Sequence, residues 1–138
     1  VIRYECVFLD AGTRSAGREV VDEAVEEFTE FTWASTYDEA VERIIESIEE
    51  NDRAEITART PNGTLVGILV LADDHDDQVG PVMGAQWNFV SADYRKGSVG
   101  QQMFRQAIRV TKLAQHEILA YTHRVAEGRY EINYRRLI

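Results

Sequence analysis

The chain has 138 residues, 44% of them hydrophobic, and a net charge of −9, which suits a single domain over 1–138 with one core. That acidic balance argues against nonspecific nucleic-acid binding, and no apolar run approaches the roughly 20 residues of a membrane helix. The lone cysteine, Cys6, excludes an intrachain disulfide and belongs to no metal-ligand spacing; with no charged-then-apolar leader pattern, a soluble cytoplasmic protein is expected.

Residues 2–9 place Tyr4, Val7 and Leu9 among β-prone neighbours, the pattern of a first strand. After a loop holding Gly12, Ser15 and Gly17, Val21, Ala24, Val25, Phe28 and Phe31 recur at helical spacing. This predicts one helix from Arg18 onward, with Asp22, Glu23, Glu26, Glu27 and Glu30 on its opposite face. A second helix is predicted after Thr36, which forms a Thr-x-x-Glu capping box with Glu39. Its apolar face is Ala40, Val41, Ile44, Ile45 and Ile48. The two acidic faces read as solvated helix surface or as a surface that welcomes an amine-bearing substrate.

Strands at 54–60 and 64–72 flank Pro61-Asn62-Gly63, a hairpin signal. The second is so continuously apolar that both of its faces should be covered. Asp73, Asp74, His75, Asp76 and Asp77 are predicted to lie in an exposed loop that reaches Pro81. Five adjacent residues cannot all converge on one ion, and the run lacks calcium-loop spacing, so it reads as a solvated turn and no metal is expected. Strands follow at 84–90 and 117–123 on either side of a long helix beginning near Ser98, and 129–137 alternates as a terminal strand after Gly128. The order predicts an α+β fold with a mixed, mostly antiparallel sheet. One parallel crossover joins the strand at 84–90 to the strand at 117–123.

Charge is unevenly spread. Twelve acids and one base, Arg43, lie between Asp22 and Asp52; five bases and no acid lie between Tyr94 and His116. A local basic patch on an acidic chain suits a small anionic ligand. Its head is the turn Arg95-Lys96-Gly97-Ser98-Val99-Gly100-Gln101, between the strand and the long helix. The first turn of a helix has unpaired N–H groups and the positive end of the dipole, which suits a phosphate or pyrophosphate. Gly97 and Gly100 keep side chains away from such a ligand, and Arg95 and Lys96 add charge.

The stretch VSADYRKGSVGQQMFRQAI resembles the pyrophosphate loop of GNAT-type N-acetyltransferases, whose pattern is Arg/Gln-x-x-Gly-x-Gly/Ala between a strand and a helix. Arg95 and Gly100 match its ends; Ser98 stands at the inner glycine, with Gly97 one residue earlier. The element order matches that family up to the fifth strand, whereas the C-terminal part is clipped and lacks a further helix. The resemblance implies a GNAT-like three-layer fold with a splayed pair of central strands, and acetyl-CoA as co-substrate lying in the splay. It implies that Asn88, Phe89 and Val90 pair with the pantetheine through their backbone, and that Arg95, Lys96, Gly97, Ser98, Val99, Gly100 and Gln101 wrap the pyrophosphate. The implied partners are acyl-CoA and an amine acceptor, with a homodimer or larger assembly left open.

Acetyl transfer to an amine needs a neutral amine, an acceptor for its proton and an acid for the departing thiolate. A backbone N–H near Phe89 is expected to polarise the thioester carbonyl. The family's acid is a tyrosine on the helix this chain lacks; Tyr130 is the nearest replacement, with Tyr134 behind it, and each also reads as a strand tyrosine packing its ring. His123, ending the fifth strand, is the candidate base, with a hydrogen-bonded structural histidine as the alternative. No Ser/His/Asp nucleophile, P-loop or dinucleotide fingerprint stands out. The leading reading is an acetyl-CoA-dependent N-acetyltransferase acting on a small molecule or a protein. The alternatives are a non-catalytic GNAT-like structural or interaction protein, similar to compact acidic chains encoded by bacteriophages and so a virion component, and an acyl-CoA-binding regulatory module. Strands at 84–90 and 117–123 that pair along their whole length would remove the acyl-CoA slot.

Overall fold

The computed structural model describes residues 1–138. Six strands form one sheet in sequence order: β1 (Arg3–Leu9), β2 (Arg53–Arg59), β3 (Leu65–Asp76), β4 (Gly80–Val90), β5 (Ile118–Ala126) and β6 (Arg129–Arg136). Every neighbouring pair is antiparallel except β4 with β5, which is parallel and joined by the crossover helix α3 (Val99–Leu113). Helices α1 (Val21–Glu27) and α2 (Tyr37–Glu49) cover one face and α3 the other. The α+β fold with a mixed, mostly antiparallel sheet is as expected. No helix is long and apolar enough to cross a membrane.

Alternation along β3 makes this a three-layer molecule. Ile68 and Val70 face α1 and α2, and Leu69 and Leu71 face α3, all of them buried. A strand buried on both faces has no polar side to show, hence its apolar run. Under α3, Gly67 leaves room for Met103 and Val99, whose side-chain atoms lie 3.0 and 3.1 Å from where a Cβ would stand. That close approach fixes where α3 begins.

The capping box on α2 forms as expected: the Glu39 N–H donates to Thr36 Oγ1 at 3.2 Å, and the Thr36 N–H to Glu39 Oε1 at 2.8 Å. Two expectations fail. The helix predicted from Arg18 through Phe31 is three pieces: a 3-10 turn at Ala16–Glu19, α1, and a second 3-10 turn at Thr29–Thr32. The break is at Phe28, whose extended backbone (φ −103°, ψ 108°) sends its ring against Phe31 and Phe89. Packing there overrides helical periodicity. The loop predicted from Asp73 to Pro81 is largely strand, with Asp73–Asp76 paired to Met83–Gly80 and only 77–79 left as the turn. Backbone pairing does not require apolar side chains, and Asp73, Asp74 and His75 are exposed within the ladder.

Candidate functional site

β4 and β5 pair at only two positions, Met83 with Leu119 and Gly84 with Ala120, and then diverge. A bulge at Gln86 follows at once: β3 pairs Leu71 with Ala85 and Val70 with Trp87, leaving Gln86 without a partner in β3. A bulge bends its strand and resets which side chains face which way. From Ala85 to Val90, β4 is paired with β3 alone. The central strands are splayed.

The phase of the β3–β4 ladder decides which backbone groups face the opening. The Ser91 N–H donates to Val66 C=O at 2.9 Å, so Gly67 and Val90 are a non-hydrogen-bonded pair, as are Leu69 and Asn88 two residues back. The backbone groups of Asn88 and Val90 therefore point into the gap, while those of Phe89 close on Ile68. The expectation that Phe89 contributes its backbone is corrected on this ground. Its side chain is 3% exposed, stacked on Trp87 and edge-on to Phe28.

On the α3 side the wedge holds a cavity of about 410 Å³ lined by Asn88, Val90, Gly100, Phe104, Tyr121 and His123, with Glu131 and Asn133 at the β6 side. On the opposite face Phe28, Phe31, Trp87, Arg124 and Tyr130 line a second cavity of about 220 Å³. Ala85, Asn88 and Thr122 line both. The two cavities thus meet at the splay from opposite sides of the sheet.

At the mouth of the larger cavity α3 begins without a side-chain cap on Ser98 and without an acid in its first turn. The first intrahelical bond is from the Gln102 N–H to Ser98 C=O at 2.9 Å, so the N–H groups of Val99, Gly100 and Gln101 precede the ladder. A Cβ on Gly100 would meet no atom within 4 Å. No protein neighbour requires a glycine there, and the backbone at this helix end is open to approach from the cavity. Lys96, Gly97, Ser98 and Gln101 are exposed around this end, and Lys96 has no ion-pair partner; Val99 is buried beneath the helix.

Arg95 does not extend its charge toward this helix end. Its guanidinium is held by Glu27, donates to Val90 C=O from Nε at 2.8 Å, and lies 5.3 Å and 5.4 Å from the ring centres of Phe28 and Phe89. It clamps α1 to the end of β4, so the expected side-chain contact with an anion is corrected to a packing role. Arg124, on β5, does the same across the gap. It pairs with Glu30 at 2.6 Å and sits 4.9 Å from the centre of the same Phe28 ring.

The two catalytic candidates stand on opposite faces. His123 lines the larger cavity, directly across from Glu131 on β6. Tyr130 lines the smaller one and donates its hydroxyl to Glu30 Oε2 at 3.0 Å. The Arg124 hydrogen bonds hold the Glu30 carboxyl down at about 2, and burial followed by the Glu30 hydrogen bond pushes the Tyr130 phenol up. Tyr134 donates to Asp76 at 2.8 Å, away from both cavities. Tyr121, which no sequence motif singles out, also lines the larger cavity with its ring edge-on to Phe104. Its signal was its position two residues before His123, on the same strand face. Glu30 and Arg124 lie too far apart in sequence to be joined without the fold.

No family model matches the sequence, and no curated protein does. Solved structures share the fold. A Pyrococcus furiosus chain assigned as an acetyl transferase is similar over 91% of this chain and 86% of its own, at 15% identity and a TM-score of 0.66. The aminoglycoside acetyltransferase AAC(6')-Iy, solved with a CoA-acetylneamine bisubstrate analogue, is similar over 89% of this chain and 81% of its own (18%, TM-score 0.59). A ribosomal-protein-alanine N-acetyltransferase from Brucella melitensis is similar over 88% and 82% (12%, TM-score 0.58). The architecture is therefore the GNAT acetyltransferase fold. These chains lend no support to the phage-type resemblance.

Proposed function

We propose that this protein transfers an acetyl group from acetyl-CoA to an amine. The observation that carries the proposal is the opening between β4 and β5, through which two cavities meet at Ala85, Asn88 and Thr122 from opposite faces of the sheet. Two substrates entering from different sides can react there without sharing an entrance. The GNAT architecture supports the same reading.

The residues fit acetyl-CoA. Asn88 and Val90 offer inward backbone groups to an extended amide chain, as a strand edge does. One acceptor is already used, because Val90 C=O takes the Arg95 Nε–H. Val99, Gly100 and Gln101 offer N–H groups at the helix end for a diphosphate, beside exposed Lys96, Gly97 and Ser98. Arg95 contributes backbone to this turn while its side chain stays on Glu27. When bound, acetyl-CoA supplies an acyl thioester, the electrophile of the reaction.

The chain's own groups then divide by face. The Val90 and Asn88 amides point where a carbonyl oxygen can accept from them. Tyr130, on the smaller cavity, donates its hydroxyl hydrogen bond to Glu30 and keeps its oxygen free to accept one from an incoming amine, so it positions the acceptor, whose proton leaves to solvent as the C–N bond forms and the C–S bond breaks. His123, on the larger cavity, is placed to hand a proton from a ring nitrogen to a sulfur leaving on that side. The sequence points to Tyr130 as the acid and His123 as the base; the faces the two residues occupy favour His123 as the proton donor to sulfur and Tyr130 as a positioning group.

Titration calorimetry with acetyl-CoA should show saturable binding. Thiol release should then appear with at least one amine from a panel of polyamines, aminoglycosides and peptides with free N-termini. No heat and no thermal shift overturns both the enzyme and the CoA-binding readings. Binding without thiol release leaves a CoA-binding module. His123→Ala should slow thiol release by about tenfold or more with little change in acetyl-CoA affinity.

A further inference from the structure

We propose that two copies of this chain associate through β6, antiparallel and edge to edge, about a two-fold axis through Asn133. β6 is an edge of the sheet, bonded to β5 alone, and contains no proline. Such an edge is a template for another strand unless something blocks it. Here the exposed apolar side chains continue along it: Tyr130 is 49% exposed, Ile132 63% and Tyr134 37%.

The free backbone groups can be assigned. The Leu137 N–H donates to Glu117 C=O at 2.8 Å, so Arg136 and Ile118 are a non-hydrogen-bonded pair. The groups of Arg136, Tyr134, Ile132 and Tyr130 therefore point away from β5. A second β6 can bond only in registers that put these residues opposite one another, which restricts the axis to a residue rather than a point between residues.

Charge then chooses among those registers. An axis at Asn133 sets Glu131 opposite the partner's Arg135, twice by symmetry, on the face toward α3. On the other face it sets Ile132 opposite Tyr134 and Tyr130 opposite Arg136. An axis at Ile132 would set Arg129 opposite Arg135, like against like, and axes at Glu131 or Tyr134 pair no opposite charges. Neither Glu131 nor Arg135 has an ion-pair partner within the chain. Both are exposed, and the Arg135 guanidinium lies 5.9 Å from the Phe104 ring centre. The Asn133 register overlaps the strand from Tyr130 to Arg136. The corresponding charge-matched register of the other edge, β1, about Tyr4, overlaps only Arg3 to Glu5. The pairing is isologous and closes, so it makes dimers and not fibres.

Glu131 and Asn133 line the larger cavity. The pairing stands independently of the proposed activity; one consequence of it rests on that activity. A partner's Arg135 beside Glu131 neutralises the carboxylate at the mouth of a cavity proposed to take an anionic cofactor.

Sedimentation velocity across a concentration series should show a monomer–dimer equilibrium. Glu131→Arg and Arg135→Glu should each raise the dimer dissociation constant by about tenfold or more, since each sets like charges opposite one another twice. The double variant Glu131→Arg/Arg135→Glu should restore it to within about threefold. Circular dichroism checks that each variant folds. In the unmodified protein the Ile132 and Tyr134 amides should be protected from hydrogen exchange at high concentration and exposed on dilution, which tests the pairing with no variant at all. A monomer at every concentration, a dimer indifferent to the charge swaps, or edge amides whose exchange ignores concentration each overturns the proposal. Acetyl-CoA calorimetry on the dissociated Arg135→Glu variant, whose change lies outside the cavity lining, separates the two claims: binding that persists in a monomer leaves the activity standing when the dimer is gone.

Discussion

Gly100 says more about the ligand than the bases around it. A glycine at a helix start costs stability, and here no neighbour within 4 Å needs the missing Cβ. Gly100→Ala should therefore raise unfolding free energy, by up to about 1 kcal/mol, while weakening acetyl-CoA binding severalfold. Urea titration and calorimetry on the same variant read the two effects, and a variant that binds as tightly as the parent would place the diphosphate elsewhere. Arg95 and Lys96 should behave oppositely to each other. Arg95 is committed to Glu27 and Val90 C=O, so Arg95→Ala should destabilise by about 1–2 kcal/mol. A double-mutant cycle with Glu27→Ala should return a coupling of about 0.5–1.5 kcal/mol. Lys96→Ala should leave stability alone and weaken acetyl-CoA binding more at low salt than at high. Both residues are legible in the sequence as basic and close to a turn. What separates them is a carboxylate 68 residues away in the chain, which no local pattern reveals.

Elements were legible where one face decides them. The capping box and apolar stripe of α2, the stripe of α3 and the buried run of β3 each state their structure locally, because a helix or strand must hide one side. Phe28 shows where this stops. Its helical spacing is real, but its ring is worth more between two guanidinium groups and two phenylalanines than in a continued helix, so α1 ends at Glu27. The acidic run at 73–76 misleads for the opposite reason: its polarity suggests a loop, yet the ladder asks only for backbone. The bulge at Gln86 leaves no periodic trace and has no counterpart in the sequence reading, and the splay beyond it is implied by the family resemblance alone. Turn glycines mark what connects these elements, and two of them differ in a testable way. Gly63 has φ +90° in open space, whereas Gly128 has φ +72° and would place a Cβ 2.8 Å from the Trp33 ring. Gly63→Ala should cost about 1 kcal/mol from backbone strain. Gly128→Ala should cost more and shift the Trp33 fluorescence, because the ring that packs over the β5–β6 turn has to move. Equal losses at the two sites, with unchanged emission, would remove Trp33 from the account.

At the scale of the molecule, acidic helices on one face are fastened to the sheet and loops by a few arginines. Glu27 reaches Arg95 beside β4, Glu30 reaches Arg124 on β5, and Glu49 on α2 reaches Arg18 and the Ser15 N–H. Two of these carboxyls are held far below the ordinary 4.5. Arg124 draws Glu30 down to about 2, and Arg18 draws Glu49 down to about 2. A carboxyl whose pKa is lower folded than unfolded binds fewer protons in the native state, so it stabilises fully above the unfolded value and loses that contribution as pH falls through the folded one. Most of the −9 charge sits on the outer faces of α1 and α2, and neutralising it relieves repulsion as pH drops, which opposes the loss. The clamps win if they, rather than the solvated faces, govern the docking of α1. Thermal melts of the parent and Glu30→Gln should then differ most above about pH 5, with the difference shrinking steadily toward about pH 2 as the parent loses what the variant never had. Glu26→Gln, on the solvated face, should show no such convergence. A parent-to-Glu30→Gln gap that stays constant across that range would mean the charge of the Arg124–Glu30 pair contributes nothing to holding the smaller-cavity side of the splay in place.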